Sequence, residues 1–241
     1  MMKAYATAAL LGLPSLALAQ DTEAFVESNI LATLYHELGH ALIDIQEVPI
    51  FGQEEDAADV LSILLVDAFW DEEDAVGIAY DAAFGFLTEA DMARDQGEEP
   101  AFWDVHGPDE QRYYNLVCIF YGANPDERED VAEELGLPEE RAAWCEDEFE
   151  QANGSWGVIL DEMAEAGPGD TFVIGDVERD DGIAALLMDE IDALNGEFSL
   201  SGDLLISYAA CSEANAFYDP EYREITICTE YVDFLAEMAD W

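Results

Sequence analysis

The chain has 241 residues, of which 57 are Asp or Glu and only 7 are Lys or Arg, so its formal net charge is −50. Hydrophobic residues make up 51% of it and aromatic residues 11%, which is too apolar for a disordered acidic tail. The sequence argues against nucleic-acid binding, because phosphate contacts need clustered Lys and Arg and the six arginines here are scattered. We interpret the charge as a solvated surface suited to salt water rather than a surface that recruits cationic substrates.

The first twenty residues predict a signal peptide that is removed on export. One positive charge precedes an apolar stretch, and Ala17-Leu18-Ala19 supplies the small residues of a cleavage site after Ala19. The apolar stretch is short for a membrane span, which needs ~20 residues, and no longer apolar run follows it. We therefore expect residues 20–241 to form one exported domain that has no membrane span.

Apolar residues at helical spacing predict a mostly helical N-terminal part of the chain. The predicted helices cover about Phe25–Gln46, Gly52–Phe69, Glu73–Met92, Asp109–Tyr121, Asp126–Leu135, Pro138–Gln151 and Trp156–Ala166. Beyond residue 167 we expect strands at about Thr171–Gly175, Leu204–Ala209, Asn215–Tyr218 and Glu224–Cys228, and helices at Gly182–Leu194 and from Glu230. The last two strands are separated by a turn-forming Asp-Pro-Glu sequence, which predicts a hairpin. The expected fold class is α+β, mostly helical, with a small C-terminal sheet.

The first predicted helix carries His36-Glu37-Leu38-Gly39-His40. Residues four apart lie on the same face of a helix, so both imidazoles can reach one ion at ~2.1 Å. Glu37 lies beside the first histidine, where it can take a proton from the attacking water. An HExxH string arises by chance in some chains, but the apolar helical context here favours a metal site.

A catalytic zinc site needs a third protein ligand, and acidic residues at the start of the next predicted helix offer one. Glu54 and Glu55 both remain candidates. We favour Glu55, because only Glu55 has a carboxylate four residues later, Asp59, which can accept the other N–H of a ligating histidine. The alternative interpretation is that this acidic stretch is simply the exposed surface of a helix.

The pattern His36-Glu37-x-x-His40 followed by Glu55-x-x-x-Asp59 resembles the gluzincin metallopeptidases, whose third ligand is a glutamate on a following helix. More closely, HELGHALID and VPIFGQEEDAAD are similar to a family of exported bacterial proteins known mainly as a domain of unknown function, DUF4344. HGPDEQRYYNLVCIFYGANP and NAFYDPEYREITIC extend the similarity over most of residues 25–228. The resemblance implies a zincin-like metallopeptidase, and it implies no particular substrate.

Asn215-Ala216-Phe217-Tyr218 resembles the edge strand of gluzincins such as thermolysin, which pairs with the substrate backbone. In those enzymes the strand precedes the zinc helix, whereas here it follows the helix near the C-terminus. An edge strand can bind an extended peptide wherever it falls in the chain, so we expect Asn215 and Ala216 to bind substrate. The alternative is an ordinary hairpin, and the two interpretations are compatible.

The third and last histidine, His106, lies in a predicted loop that could reach the metal cleft. We assign it a catalytic role, as a donor that stabilises the oxyanion formed when water attacks the carbonyl. Arg112 and Tyr113 or Tyr114 are competing donors. His106 could instead be structural, and Arg112 could form a buried ion pair with the acidic residues just before it.

The four cysteines fit an oxidising compartment, and none has the C-x-x-C spacing of a thiolate zinc site. Three pairings are open from the sequence. The most economical joins Cys118 to Cys145 and Cys211 to Cys228, because each bridge then closes a short local loop worth about 3 kcal/mol.

Together these features predict an exported zinc-dependent metallopeptidase that cleaves peptide bonds through a metal-activated water. His36, His40 and Glu55 would hold one Zn²⁺ per chain. The expected partner is a peptide or protein substrate, and the expected location is the bacterial periplasm or the secreted fraction. The alternative is a non-catalytic envelope protein whose metal site is structural or captures a peptide. The sequence leaves the oligomeric state open.

Overall fold

A computed structural model describes residues 22–241, so the predicted signal peptide lies outside the described residues. The helices in chain order are α1 (Thr22–Ile45), α2 (Glu54–Phe69), α3 (Glu72–Asp95), α4 (Asp109–Ala123), α5 (Pro125–Glu134), α6 (Glu139–Ala142), α7 (Cys145–Ala166), α8 (Gly182–Glu197) and α9 (Thr229–Ala239). The strands are β1 (Phe172–Val177), β2 (Leu204–Ala209), β3 (Ala216–Asp219) and β4 (Glu224–Cys228). The predicted α+β, mostly helical class with a small C-terminal sheet is confirmed.

The strands form one mixed sheet in the order β1-β2-β4-β3. β1 and β2 are parallel, as are β2 and β4, while β3 and β4 form the predicted antiparallel hairpin, with Ala216 opposite Ile227 and Asp219 opposite Glu224. β3 therefore lies at an edge of the sheet. It packs beside α1, and the Tyr218 hydroxyl donates a hydrogen bond of 2.7 Å to the Asp44 carboxylate near the end of that helix.

Helix α1 is the central element of the hydrophobic core. Ile30, Leu34, Ala41 and Leu42 are fully buried, and the helix contacts α2, α3, α9 and the sheet. A helix with apolar residues around most of its circumference is buried on most sides. The polar residues that α1 nevertheless carries inward, the HExxH residues among them, are therefore held in a rigid position.

Two predicted boundaries are wrong. We expected separate helices at 138–151 and 156–166, but the first is interrupted between α6 and α7, and α7 then runs without a break from Cys145 to Ala166. Gly154 lies inside the helix with no atom near its missing Cβ. The tertiary contacts of Trp156, whose indole N–H donates to the Ala57 carbonyl at 3.0 Å, hold the second half of the helix in line with the first. Packing thus outweighs the local preference of the Asn-Gly-Ser sequence for a turn.

Two disulfides join Cys118 to Cys145 and Cys211 to Cys228, which is the economical pairing. The first links α4 to α7, and the second links the segment after β2 to the end of β4. No cysteine of residues 22–241 is free. Within the same residues, no helix has the length and hydropathy needed to cross a membrane.

Candidate metal centre

Helices α1 and α2 run antiparallel and approach each other closely at the HExxH sequence. The backbone is in contact there: a Cβ added at Gly39 would lie 2.8 Å from the Ala58 Cα. This close approach brings the first two turns of α2, which carry Glu54, Glu55 and Asp59, against the histidine face of α1. Carboxylates at the start of α2 are also favoured locally, because the N-terminal end of a helix attracts negative charge.

Three donor atoms converge where the two helices meet. The Nε2 atoms of His36 and His40 lie 3.2 Å apart, and the Glu55 Oε2 lies 3.2 Å from the first and 3.1 Å from the second. Ligands that surround an ion tetrahedrally at ~2.0–2.1 Å are separated by roughly 3.3 Å. The triangle therefore has the size of one face of a tetrahedral coordination shell, and its two imidazoles and one carboxylate fit a zinc site.

The far nitrogen of each histidine is held by a carboxylate. His36 Nδ1 lies 2.7 Å from Asp59 Oδ1, and His40 Nδ1 lies 2.9 Å from Glu54 Oε1. When each Nδ1–H donates to its carboxylate, each Nε2 presents a lone pair to the centre, as a metal ligand must. The two neighbouring glutamates thus have different positions: Glu55 belongs to the donor triangle and Glu54 supports His40.

Arg112 of α4 holds Asp59 in place. Its Nε and Nη2 donate to the two Asp59 carboxylate oxygens, each at 2.8 Å, and its guanidinium lies 4.2 Å from the centre of the Phe86 ring. The pair is largely buried. Asp109, the neighbour expected to pair with Arg112, is farther away at 3.8 Å, and Glu110 pairs with Arg94 instead.

The electrostatics of the centre favour positive charge. Burial lowers the pKa of His36, but hydrogen bonds to Asp59 and Glu55 outweigh it and raise the pKa to about 9; the pKa of His40 shifts in the same direction. Burial raises the pKa of Glu55, but hydrogen bonds from His106, His36 and His40 hold it well below the usual range. Surroundings that favour protonated imidazoles also favour a divalent cation between those rings.

Glu37 is 7% exposed and lines the cleft at the centre. Burial raises the pKa of its carboxyl, against the opposing effect of His36 and His40. Its carboxylate has no ion pair or hydrogen-bond partner elsewhere in the described part of the chain. A carboxylate with a raised pKa and no fixed partner is suited to take up and release a proton.

His106 also reaches the donor triangle, from the loop between α3 and α4. Its Nε2 lies 2.9 Å from Glu55 Oε2, and the donor atoms of His36, Glu55 and His106 all lie within 4.8 Å of one another. Its side chain is 46% exposed, unlike those of the two helical histidines. The role predicted for it, an oxyanion donor, stays a prediction.

The centre opens into a cleft of about 1560 Å³ whose wall includes β3. Asn215, Ala216, Phe217 and Tyr218 all line it. The carbonyl of Asn215 accepts from Cys228 N at 3.1 Å, so strand alternation directs the main-chain groups of Ala216 and Tyr218 away from β4. The candidate peptide-binding edge and the candidate metal centre therefore share one cleft.

Sequence reasoning missed two of these contacts. It did not assign Glu54 to His40, although adjacent residues at a helix start can face two different histidines. It also did not link Arg112 to Asp59, which lie 53 residues apart. Arg112 is unusual in the sequence because it is a cation in a strongly acidic chain, but only the packing of α4 on α2 identifies its partner.

The model of the family DUF4344, described as Putative metallopeptidase, matches residues 8–160 and 180–240. The chain belongs to the DUF4344 family. No curated protein and no solved structure shows significant similarity to this DUF4344 member. The family description implies a metal, and the His and Glu donors described above could hold one.

Proposed function

We propose that this DUF4344 protein is an exported zinc-dependent peptidase with a zincin-like site in a single domain that begins at residue 20. The observation that carries the proposal is the triangle formed by His36 Nε2, His40 Nε2 and Glu55 Oε2, with edges of 3.1–3.2 Å. The family description and the disulfides, which are typical of oxidising compartments, support it. The two imidazoles and the carboxylate favour Zn²⁺, one ion per chain.

Zn²⁺ at this position would supply Lewis-acid polarisation of the scissile carbonyl and of the attacking water. Glu37 then takes a proton from that water at its carboxylate and passes it to the leaving amine, and its raised pKa suits both steps. Asp59 and Glu54 hold the two histidine rings through their Nδ1 atoms, so that the ligand geometry is set before substrate binds.

The substrate we propose is an extended peptide that lies along β3. The outward main-chain groups of Ala216 and Tyr218 offer it strand-like hydrogen bonds, and β3 lines the same cleft as Glu37. The peptide would enter as a further strand at this edge of the sheet, with its scissile bond next to the donor triangle.

Purified mature protein tests the proposal through metal analysis and a peptide-cleavage screen. We expect about one zinc per chain and measurable hydrolysis. Glu37→Gln should retain the zinc and lose about 10²–10⁴-fold in turnover, because the proton acceptor is gone while the ligands remain. Glu73→Gln on the exposed surface of α3 is the matched control. Retained turnover in Glu37→Gln would reject the assigned base.

The alternative function is a non-catalytic envelope protein with a structural or peptide-capturing metal site. The position of His106 favours it, because structural zinc sites are filled by four protein ligands. This alternative predicts about one zinc per chain with no hydrolysis of any peptide in the screen.

A further inference from the structure

The three histidines at the donor triangle are held differently. The Nδ1 atoms of His36 and His40 lie 2.7 and 2.9 Å from Asp59 and Glu54. The Nδ1 of His106 lies 3.9 Å from its nearest carboxylate, on Asp104, which is beyond hydrogen-bond distance. A carboxylate on Nδ1 orients a ligating imidazole and makes it more basic, and His106 has no such carboxylate among the residues that the structure describes. His106 is therefore the donor most easily displaced.

The loop that carries His106 has few ties to the rest of the molecule. Across residues 22–241, the His106–Glu55 contact is the one hydrogen bond or ion pair that joins residues 99–107 to other parts of the chain. Phe102, Trp103 and Val105 are 82%, 86% and 61% exposed, so apolar packing does not hold the loop down either. Displacing His106 would break one polar contact, that with Glu55, and would expose little additional apolar surface.

The two ends of the loop can absorb a change in backbone direction. Gly97, at the end of α3, has φ +78°, a conformation that favours glycine. Gly107 directly follows His106, and α4 begins after Pro108. The loop is thus a short segment that can pivot between two rigid helices.

We propose that His106 is a fourth, exchangeable donor to the metal. It keeps the centre closed until loop 97–107 withdraws, and substrate then enters. The proposal rests on the proposed function, because a closed resting state has meaning only if substrate later takes that position. Two observations support it: the His106 donor atom lies within 4.8 Å of the donor atoms of His36 and Glu55, and this histidine is carried by an exposed loop with few contacts.

The test uses the full mature chain loaded with Co²⁺, whose visible absorption reports the ligand set. Wild type, His106→Ala and Val105→Ala are compared, the last as a control on the same loop. His106→Ala should bind Co²⁺ about 10-fold or more weakly. Acetohydroxamate, a small metal-binding probe, should bind that variant about 10-fold more tightly than wild type. The probe then no longer competes with the His106 imidazole for the metal. Val105→Ala should match wild type in both titrations.

Equal Co²⁺ and acetohydroxamate affinities in wild type and His106→Ala would overturn the proposal. Peptide hydrolysis is measured separately, so the two ideas can fail independently. If the affinities differ as expected and no peptide is cleaved by either protein, His106 is a donor and the peptidase proposal fails. If wild type cleaves peptide and the affinities are equal, the peptidase proposal stands and His106 is not a ligand.

Discussion

At the scale of single residues, the two carboxylates that support the histidines differ in how firmly they are held. The Asp59 side chain is 20% exposed and accepts two hydrogen bonds from the buried Arg112. The Glu54 side chain is 46% exposed and has no such cation beside it in the described structure. His36 is therefore fixed more rigidly than His40.

This difference predicts that neutralising the two carboxylates weakens zinc binding to different extents. Asp59→Asn should weaken zinc binding by about 10- to 100-fold, because it removes the charge that orients His36 and leaves Arg112 buried without its partner. Glu54→Gln, the matched change at His40, should have a smaller effect, because water can replace an exposed partner. Competition with a chromophoric chelator measures both. An equal loss in the two variants would contradict the prediction.

A buried acid that pairs with Tyr35, the residue before His36, makes the stability of the fold depend on pH. The Tyr35 hydroxyl donates to Glu190 at 2.7 Å, and burial raises the pKa of the Glu190 carboxyl. The folded protein thus holds this proton more tightly than the unfolded chain. The stability that Glu190 contributes is complete below its unfolded pKa and is lost as pH rises through its folded pKa.

Glu190→Gln removes this dependence and keeps an acceptor for Tyr35. The variant should melt near the wild-type temperature at about pH 4, where the wild-type carboxyl carries its proton, and above it at about pH 8. Thermal unfolding followed by circular dichroism at the two pH values measures the difference. A variant that is less stable than wild type at the higher pH would show that the charged form is the favoured one.

At the scale of elements, the candidate site is a product of the α1–α2 contact. Gly39 lies between the two histidines and against Ala58, at the level where Glu55 and Asp59 face α1. Only a residue without a Cβ allows backbone contact this close. The glycine inside the HExxH sequence therefore sets the distance between the helices that supply the donors.

Gly39→Ala should destabilise the fold by about 1–3 kcal/mol, because the added methyl group meets backbone atoms that cannot move aside. It should also weaken zinc binding, because the helices separate. Gly77→Ala is the matched control: Gly77 lies in α3 with nothing near its missing Cβ, so alanine should stabilise that helix by about 0.5–1 kcal/mol. Urea unfolding and metal titration of both variants measure these effects. A stable Gly39→Ala variant with normal affinity would disprove the argument.

At the scale of the whole molecule, most of the few cations form ion pairs within the chain. Five of the six arginines form ion pairs among residues 22–241, namely Arg94, Arg112, Arg128, Arg141 and Arg179. Arg128 is the most deeply buried of them: its side chain is 3% exposed and lies between Asp67 and Glu72, over the Phe120 ring. The remaining carboxylates leave the surface strongly negative.

Self-repulsion of this charge predicts that salt stabilises the protein. Raising NaCl from about 0.05 to 1 M shortens the Debye length to ~3 Å, and each ~1 kcal/mol of relieved repulsion should raise Tm by about 2–4 °C. Calorimetry across the series measures this. Sucrose at matched osmolality is the control that separates screening from solute exclusion. A Tm that does not change with salt would mean that repulsion between surface charges lowers the free energy of unfolding very little.

Much of the fold could be predicted from the sequence, because the signals were local. The helical spacing in α1, the hairpin of β3 and β4 and the short-loop disulfide pairing depend on neighbours in the chain. Prediction failed at α7, where the Asn-Gly-Ser sequence has turn character but distant contacts hold the helix straight. Local preference is weak compared with packing.

The sequence by itself determined the kinds of donor available and the face that carries two of them, because residues four apart on a helix share a face. Only the tertiary structure decided which acidic side chains meet those rings and that the loop histidine meets them as well. Contacts such as Arg112 with Asp59, or His106 with Glu55, depend on how helices far apart in the chain pack. The number of residues between two helices does not fix the distance between their side chains, because the turns and loops between helices can direct the same side chains together or apart.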